Sequence, residues 1–335
     1  MTFRTEIFIP KQKETIAYED QLLLVGSCFV ENMGKKFQEA GFQASINPFG
    51  TLYNPHSLAQ AIERLLNPIP FQPADLFLHE GVWHSFVHHS RFSHISQEET
   101  LRNINEELAL GAERLRSARW LMITLGTAWV YRLADSGVVV ANCHKLPEKR
   151  FIRERMSEDE IVQLFAPLIE RLHVINPALQ LLMTVSPIRH WKDGAHENQL
   201  SKATLLLAIE RIQQQCSLVH YFPAYELLMD ELRDYRFYAE DMIHPNATAI
   251  EFIWEKLTLH YLNREAQQTL KEVEQLNKAL QHRSLHPNSE ADRKFQHQTA
   301  QRIANLQKRY QFLHFNRPIN GEASNDENQL PQKKR

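Results

Sequence analysis

The sequence has few cysteines and no long apolar run, and both absences narrow the classes of protein to which it can belong. Its three cysteines, Cys28, Cys143 and Cys216, are widely spaced and form no Cys-x-x-Cys pair. This number and spacing argue against a disulfide framework and against a structural zinc site. No stretch approaches the roughly 20 apolar residues that span a bilayer, and the N-terminal segment contains no apolar run of signal-peptide length. We therefore expect a cytoplasmic protein that has no membrane partner.

An excess of charge of either sign is also missing. The formal net charge is −2 at pH 7, which provides no long-range attraction to nucleic acid or to an anionic membrane. With 43% hydrophobic and 23% charged residues, the chain has enough apolar side chains for a sizeable core. This composition is typical of a folded globular protein and not of a disordered one.

Apolar strands alternate with amphipathic helices over most of the chain. The predicted strands are residues 22–25, 42–46, 120–125, 179–185 and 218–222, and the predicted helices include 56–66, 96–117 and 199–215. A β-hairpin is predicted where residues 129–131 and 138–140 flank Asp135-Ser136-Gly137. Strands that are mostly apolar over their full length and alternate with helices indicate a parallel sheet covered on both faces, with its active site outside the carboxyl ends of the strands.

The character of the sequence changes after about residue 263. We expect residues 1–263 to form the main domain, 264–316 a helical hairpin, and the polar segment 317–335 a disordered tail. The first helix of the hairpin has an apolar stripe on a highly charged background. That stripe must be covered, either by the main domain or by a second copy of the chain in a homodimer.

A serine stands at the first transition from strand to helix. Gly26-Ser27-Cys28-Phe29 directly follows the strand at 22–25 and directly precedes a helix. A serine there has its backbone N–H near a helix N-terminus, a favourable position for a nucleophile whose intermediate bears an oxyanion. Two alternatives stay open. Ser27 can simply cap the helix, or Cys28 can be the nucleophile, although a buried cysteine usually behaves as a small apolar group.

A second motif, Asp241-Met242-Ile243-His244-Pro245-Asn246, lies near the end of the α/β region. An Asp three residues before a His can orient Nδ1 of the imidazole while Nε2 faces a site, as a serine–histidine–carboxylate mechanism requires. The alternative is a capped helix start with a surface histidine, because Asp, Pro and Asn are common turn residues.

The chain resembles the GSCFA family within the SGNH/GDSL hydrolase superfamily. Ser27 and the Asp241–His244 motif stand in the chain order of that superfamily. The narrower resemblance rests on residues 26–29, 47–55, 125–131, 141–145, 186–190 and 241–245. It implies an α/β fold, a three-layer α/β/α flavodoxin-like sandwich with a mostly parallel sheet. It also implies ester chemistry through an acyl-enzyme without a cofactor, with Ser27 as nucleophile, His244 as acid and base, and Asp241 orienting the imidazole.

The resemblance also implies an oxyanion hole built from the serine N–H, a glycine N–H and an asparagine side chain. Gly50 matches the glycine by position. The usual Gly-x-Asn-Asp block is absent, since the chain has Gly126-Thr127-Ala128-Trp129 instead. Asn142, Asn47 and Thr127 are the candidate replacements for the side-chain donor, and Asn142 is preferred because it follows the hairpin that leaves this block.

Several residues near these motifs are candidates for substrate contact: Asn47, Thr127, Trp129, Arg189 and His190. Arg189 and His190 follow the fourth strand and therefore point toward the rim of the site. His84, His88 and His89 have no carboxylate or second histidine pair at ligand spacing, so no metal site is predicted.

The leading hypothesis is an esterase or deacylase that acts on an O-acyl ester of a small molecule or a carbohydrate. An O-acyltransferase that uses the same acyl-enzyme is the first alternative. A non-catalytic binding protein on the same fold is the second.

Overall fold

Strands and helices alternate along the chain, as the sequence predicts. The computed structural model describes residues 4–282, 284–287 and 289–315. Within these residues the strands are β1 (Gln21–Gly26), β2 (Gln43–Ile46), β3 (Phe77–His79), β4 (Val82–His84), β5 (Trp120–Leu125), β6 (Trp129–Leu133), β7 (Val139–Val140), β8 (Phe151–Arg155), β9 (Gln180–Val185) and β10 (Val219–Tyr221). The α-helices are α1 (Cys28–Glu39), α2 (Pro55–Leu66), α3 (Gln97–Ser117), α4 (Glu158–Ile175), α5 (Gly194–Gln215), α6 (Ala224–Glu226), α7 (Ala247–Tyr261), α8 (Arg264–Gln281) and α9 (Glu290–Arg309).

Five of the strands form one parallel sheet in the order β2-β1-β5-β9-β10. This is the flavodoxin-like order, in which the second strand of the sheet lies outside the first. Every residue of β5 and β9 is buried, because helices cover both faces of the sheet. The predicted α/β/α sandwich is therefore confirmed.

Six of these helices, α1 to α5 and α7, form two layers, one on each face of the sheet. Right-handed connections between parallel strands place α2, α3, α4 and α5 on one face and α1 on the other. α7 packs beside α1, where the ring centroids of Phe37 and Trp254 are 4.7 Å apart and Lys36 forms an ion pair with Glu251. On the opposite face α2 packs against α3 and α4, and α4 packs against α5.

Successive strands are added on one side of β1 first and then on its other side, so the order of the strands switches between β1 and β5. From β1 the chain moves outward to β2 and then returns across the sheet to β5. The connections that leave β1 and β5 therefore diverge, and they leave a crevice outside the carboxyl ends of these strands. Gly26 pairs with Thr124 in the parallel register, so the two strands end at the same level. Ser27 and Gly126 lie at the mouth of this crevice.

Two small antiparallel sheets accompany the main one. β6 pairs with β7 and with β8, and β3 pairs with β4. The predicted hairpin is present, and its turn is closed by the Gly137 N–H, which donates to the Leu133 carbonyl at 2.8 Å. The third strand, β8, and the β3–β4 hairpin are not predicted from the sequence.

The chain divides into two units, residues 1–269 and 270–335. The first contains all the strands described above. In the second, Arg302 donates to Gln275 at 2.8 Å and Arg309 pairs with Glu272 at 3.3 Å, so α8 and α9 form the predicted helical hairpin. The domain boundary at 263/264 and the homodimer stay predictions, and the segment 317–335 lies outside the described residues. None of the helices in the described ranges is long and apolar enough to cross a bilayer.

Gly26 has no room for a side chain at the place where β1 meets β5. Its φ is +147°, and a Cβ atom there would lie 2.5 Å from the Thr124 carbonyl oxygen and 2.9 Å from the Thr124 nitrogen. We expect Gly26→Ala to lower the free energy of unfolding by about 3 kcal/mol, because the strained backbone and the overlap each cost on the order of 1–3 kcal/mol. Chemical denaturation monitored by fluorescence measures this loss.

Gly81→Ala is the matched control for this substitution. Gly81 also has a positive φ (+77°), but a Cβ there would meet no heavy atom within 4 Å. Only the backbone conformation then opposes the change, so we expect a loss of about 1 kcal/mol. Equal losses in the two variants would show that the contact with Thr124 does not determine the need for glycine at position 26.

Candidate active site

Ser27 lies at the turn between β1 and α1 with its side chain buried. It is the N-cap residue of α1, yet its hydroxyl makes no capping hydrogen bond. The residue is 1% exposed, and its Oγ has no hydrogen-bond partner among the described residues. A buried polar group without a partner costs stability. The Ser27 side chain therefore does not cap helix α1, which was the alternative to its role as nucleophile.

Cys28, the other candidate nucleophile, is half-buried beside Ser27. Burial raises the pKa of its thiol, so the thiol is protonated at neutral pH. A protonated thiol is a weak nucleophile, and this environment favours Ser27 over Cys28.

The loop after β2 is attached to the end of β1 through Asn47. Asn47 has a positive φ of 48°, and its Oδ1 accepts a hydrogen bond from the Gly26 N–H at 2.8 Å. Its own N–H donates to the Leu24 carbonyl at 2.8 Å, and the Leu52 N–H donates to the Gly26 carbonyl at 3.0 Å. Asn47 therefore positions the turn that carries Ser27, and its side-chain oxygen is engaged in that task.

The two backbone groups predicted to form an oxyanion hole are already hydrogen bonded. The Ser27 N–H donates to the Thr124 carbonyl at 3.4 Å, and the Gly50 N–H donates to the Asn47 carbonyl at 2.7 Å. The first distance is beyond the usual range for N–H···O bonds, so this donor can be redirected at little cost. Gly50 has a φ of +75°, and a Cβ there would lie 2.3 Å from the His89 Cβ, so the loop conformation requires glycine.

Asn142, predicted as the third oxyanion donor, closes a turn. Its Oδ1 accepts a hydrogen bond from the His144 N–H at 2.9 Å, which is the geometry of an Asx turn. The preceding Ala141 N–H donates to the Phe86 carbonyl at 2.7 Å. Within the described part of the chain, no hydrogen bond joins the Asn142 side chain to Ser27. These contacts give Asn142 a structural role.

Asp241 and His244 form a hydrogen-bonded pair within one turn. The Oδ1 atom of Asp241 accepts from the backbone N–H groups of Ile243 and His244, each at 2.9 Å, and its Oδ2 lies 2.5 Å from Nδ1 of His244. The backbone hydrogen bonds and the imidazole lower the pKa of Asp241 to about 2. An ionised carboxylate can only accept, so in the neutral form of the imidazole Nδ1 carries the proton and Nε2 is the acceptor. This is the tautomer that a general base needs.

The Asp241–His244 turn lies at the same edge of the sheet as Ser27. Asp241 lines one cleft with Arg189, which follows β9. Burial lowers the pKa of His190 to about 4, and His244 is near enough to be one of the lesser causes. The strand β5 separates β9 from β1, a span of about 10 Å. No hydrogen bond between Ser27 Oγ and His244 is formed among the described residues.

Three other candidate substrate contacts lie around the same loops. Thr127 Oγ1 is 3.1 Å from Ser201 Oγ and accepts from the Trp129 N–H at 3.2 Å, so its hydroxyl anchors the loop after β5. The Arg153 guanidinium lies 4.5 Å from the centre of the Trp129 ring. The His190 ring packs edge-on against Tyr53, with centroids 5.5 Å apart.

Comparison with protein-family models identifies one family. Residues 21–257 match the GSCFA family, and residues 273–321 match the C-terminal domain of GSCFA domain proteins. No curated protein sequence matches the chain. A solved structure with partial similarity is that of an acetyl xylan esterase from the rumen bacterium Butyrivibrio proteoclasticus, at 12% identity and a TM-score of 0.38. That similarity covers 72% of this chain and 64% of the esterase. The chain therefore matches less than two thirds of the length of the esterase.

A buried lysine that no sequence motif indicates joins the ends of two strands at the same edge. Lys202 on α5 is 1% exposed, and its Nζ donates to the carbonyls of Gly126 and Ser186, each at 2.7 Å. These carbonyls directly follow β5 and β9. Lys202 therefore holds together the two connections that form one wall of the crevice. Burial lowers the pKa of Lys202 to about 7.

The low pKa of Lys202 predicts a pH-dependent stability that Lys202→Met should lack. The unfolded chain keeps this proton up to the ordinary pKa of 10.5, whereas the folded chain releases it near pH 7. Raising the pH through this window therefore favours the folded wild type relative to Lys202→Met. We expect a relative gain of about 2 kcal/mol between about pH 7 and pH 9, measured by chemical denaturation at each pH.

Arg211→Met, on the exposed side of the same helix, is the control. Arg211 pairs with Glu158 at 3.1 Å and with Asp159 at 2.6 Å, and its side chain stays protonated throughout this pH range. This variant should keep the pH dependence of the wild type. A constant difference in stability between wild type and Lys202→Met would show that Lys202 stays charged in the folded protein.

Proposed function

The chain belongs to the GSCFA family, and on this basis we propose that it is a serine hydrolase of the SGNH/GDSL superfamily that cleaves O-acyl esters. The proposal rests on one observation, that the Ser27 hydroxyl is buried without a hydrogen-bond partner. The hydroxyl lies at the crevice between the connections that leave β1 and β5, and no described residue accepts a hydrogen bond from it or donates one to it. Buried hydroxyl groups normally have such a partner, whereas a nucleophile is completed by its base and its substrate.

In the proposed mechanism Ser27 Oγ attacks the acyl carbon while its proton passes to Nε2 of His244. Asp241 holds the imidazole in the required tautomer and stabilises the imidazolium. The bond between the acyl carbon and the alcohol oxygen then breaks, and His244 returns the proton to the departing alcohol. A water molecule, deprotonated by the same imidazole, hydrolyses the acyl-enzyme and releases the acid and free Ser27.

The reaction requires a hydrogen bond between Ser27 and His244 that substrate binding would complete. Catalytic hydrogen bonds are often long or misaligned until the substrate is bound. The Asp241 and His244 side chains are about half exposed, at 47% and 50%, so their turn can move toward β1 without opening the core.

For the developing oxyanion we propose the backbone N–H groups of Ser27 and Gly50. Both would exchange their present carbonyl acceptors for the oxyanion. A charged acceptor forms stronger hydrogen bonds than a neutral carbonyl, which favours the exchange. Asn142 is assigned to its turn and not to the oxyanion hole.

The identity of the nucleophile is tested by active-site labelling. A fluorophosphonate probe should label the wild type and Cys28→Ala but not Ser27→Ala, because only an activated serine hydroxyl forms the phosphonate ester. With 4-nitrophenyl acetate we expect Ser27→Ala to lose about 10⁴-fold or more in kcat, since nucleophile and base act as a unit. Labelling and turnover that depend on Cys28 instead would overturn the proposal.

Product analysis separates hydrolysis from acyl transfer. Free acetate should accumulate from an acetylated sugar in the presence of the wild type. Transfer of the acetyl group to an added acceptor sugar, without free acetate, would identify an O-acyltransferase that uses the same acyl-enzyme.

The role of Asn142 is tested by measuring turnover and stability together. We expect Asn142→Ala to lower the melting temperature, because the His144 N–H loses its acceptor, and to leave kcat within a few-fold of the wild type. Loss of an oxyanion donor would instead reduce kcat by about 10²–10³-fold. A drop of that size with unchanged melting temperature would restore Asn142 to the oxyanion hole.

A further inference from the structure

A cleft of about 430 Å³ lies directly beside the Asp241–His244 pair. Its walls come from the segment after β9, which contributes Arg189 and Trp191, and from the segment that leads to His244, which contributes Tyr235, Tyr238 and Asp241. The cleft therefore has room for part of a substrate that is bound next to this pair.

Arg189 is a cation in this cleft without a counter-ion. Among the described residues no carboxylate lies within ion-pair distance of its guanidinium. Its Nε and Nη2 atoms instead contact the thioether sulfur of Met229 at 3.4 and 3.3 Å, and sulfur in a thioether is a weak acceptor. The side chain is half-buried, so an anion that reached it would be screened less than on an open surface.

The other charged groups that line the cleft are paired. Arg233 forms an ion pair with Asp230 at 3.1 Å, Asp234 pairs with Arg236 at 2.8 Å, and the Asp241 carboxylate is hydrogen bonded to His244 and to two backbone N–H groups. Arg189 is therefore the cation among the described residues of the cleft wall that has no carboxylate partner. One guanidinium matches a singly charged planar carboxylate, to which it can donate two parallel hydrogen bonds.

Aromatic side chains complete the walls of the cleft. Trp191 is 43% exposed and Tyr235 is 76% exposed, so both offer large apolar surfaces to a ligand. The Arg189 guanidinium lies 5.7 Å from the centre of the Trp191 ring, and the rings of Tyr235 and Tyr238 are 6.0 Å apart. Flat apolar surfaces around one cation suit a ring-shaped molecule that carries an acidic group.

We propose that this cleft selects esters whose alcohol part carries a carboxylate, and that Arg189 binds that carboxylate. The substrate class is then an O-acylated cyclic hydroxy acid, such as an acylated sugar acid. The inference rests on the proposed function at Ser27, because it names the substrate class of that site.

The test compares 4-acetoxybenzoate with its neutral methyl ester. Both release acetate and a phenol, and their intrinsic reactivities cancel when wild type and variant are compared. We expect Arg189→Met to reduce kcat/KM for 4-acetoxybenzoate, relative to the methyl ester, by about 10- to 100-fold, as for the loss of a charge-assisted hydrogen bond. Arg189→Lys should recover part of the loss, because it keeps the charge without the planar guanidinium.

Arg233→Met is the matched control, because Arg233 lines the same cleft but already has a carboxylate partner. It should change the ratio of the two esters by less than about 3-fold, as expected for an exposed ion pair. An equal loss for both esters in Arg189→Met would overturn the inference.

A binding experiment separates this inference from the proposed function. Calorimetric titration of Ser27→Ala with 4-hydroxybenzoate measures binding of the carboxylate without any reaction. If the wild type hydrolyses neither ester but this binding depends on Arg189, the proposed function fails and the assignment of the cleft stands. No binding, or binding that Arg189→Met leaves unchanged in the Ser27→Ala background, overturns the assignment whatever the activity.

Discussion

The close contact between the ends of β1 and β5 is the constraint on which the candidate active site depends. The backbone of Gly26 passes so near Thr124 that only glycine fits, and the two strands can therefore end in register. From this contact the chain turns directly into α1, which places Ser27 at the mouth of the crevice with its hydroxyl buried. The loop after β2 is fastened to the same turn through Asn47, so the position of Gly50 depends on it as well.

Much of the fold can be predicted from short patterns of neighbouring residues in the sequence. β5 is a run of six buried residues of which five are apolar, and Ser157 with Glu160 forms the capping box that its spacing indicates. β8 is not predicted from the sequence because its stability does not come from an apolar face. It presents charged residues that pair across strands, as in the ion pair between Arg132 and Glu154, and alternation of hydrophobic residues cannot reveal such a strand.

For a similar reason, some residues of the candidate site can be predicted from the sequence and others cannot. The Asp241–His244 pair is local, so four consecutive residues are enough to predict its geometry. Lys202 connects residues that are far apart in the chain. A single lysine in a helix is usually exposed, so the sequence does not lead one to predict that it is buried. A signal did exist, because Lys202 lies three and seven residues before the buried Leu205 and Ile209, on one face of α5. The acceptors of the Ser27 and Gly50 N–H groups depend on the folded backbone, and no residue pattern specifies them.

The location of Asp241 and His244 on one short turn has a consequence for how such a site diversifies. Carboxylate and imidazole keep their mutual geometry through contacts that lie entirely within residues 241–244. Insertions or deletions in the flanking loops would shift the pair as a unit toward or away from the nucleophile and reshape the neighbouring cleft, while the orientation of the base stayed intact. Variation in loop length between β10 and α7 is thus a route by which proteins with this arrangement can acquire new substrates without rebuilding their proton-transfer machinery.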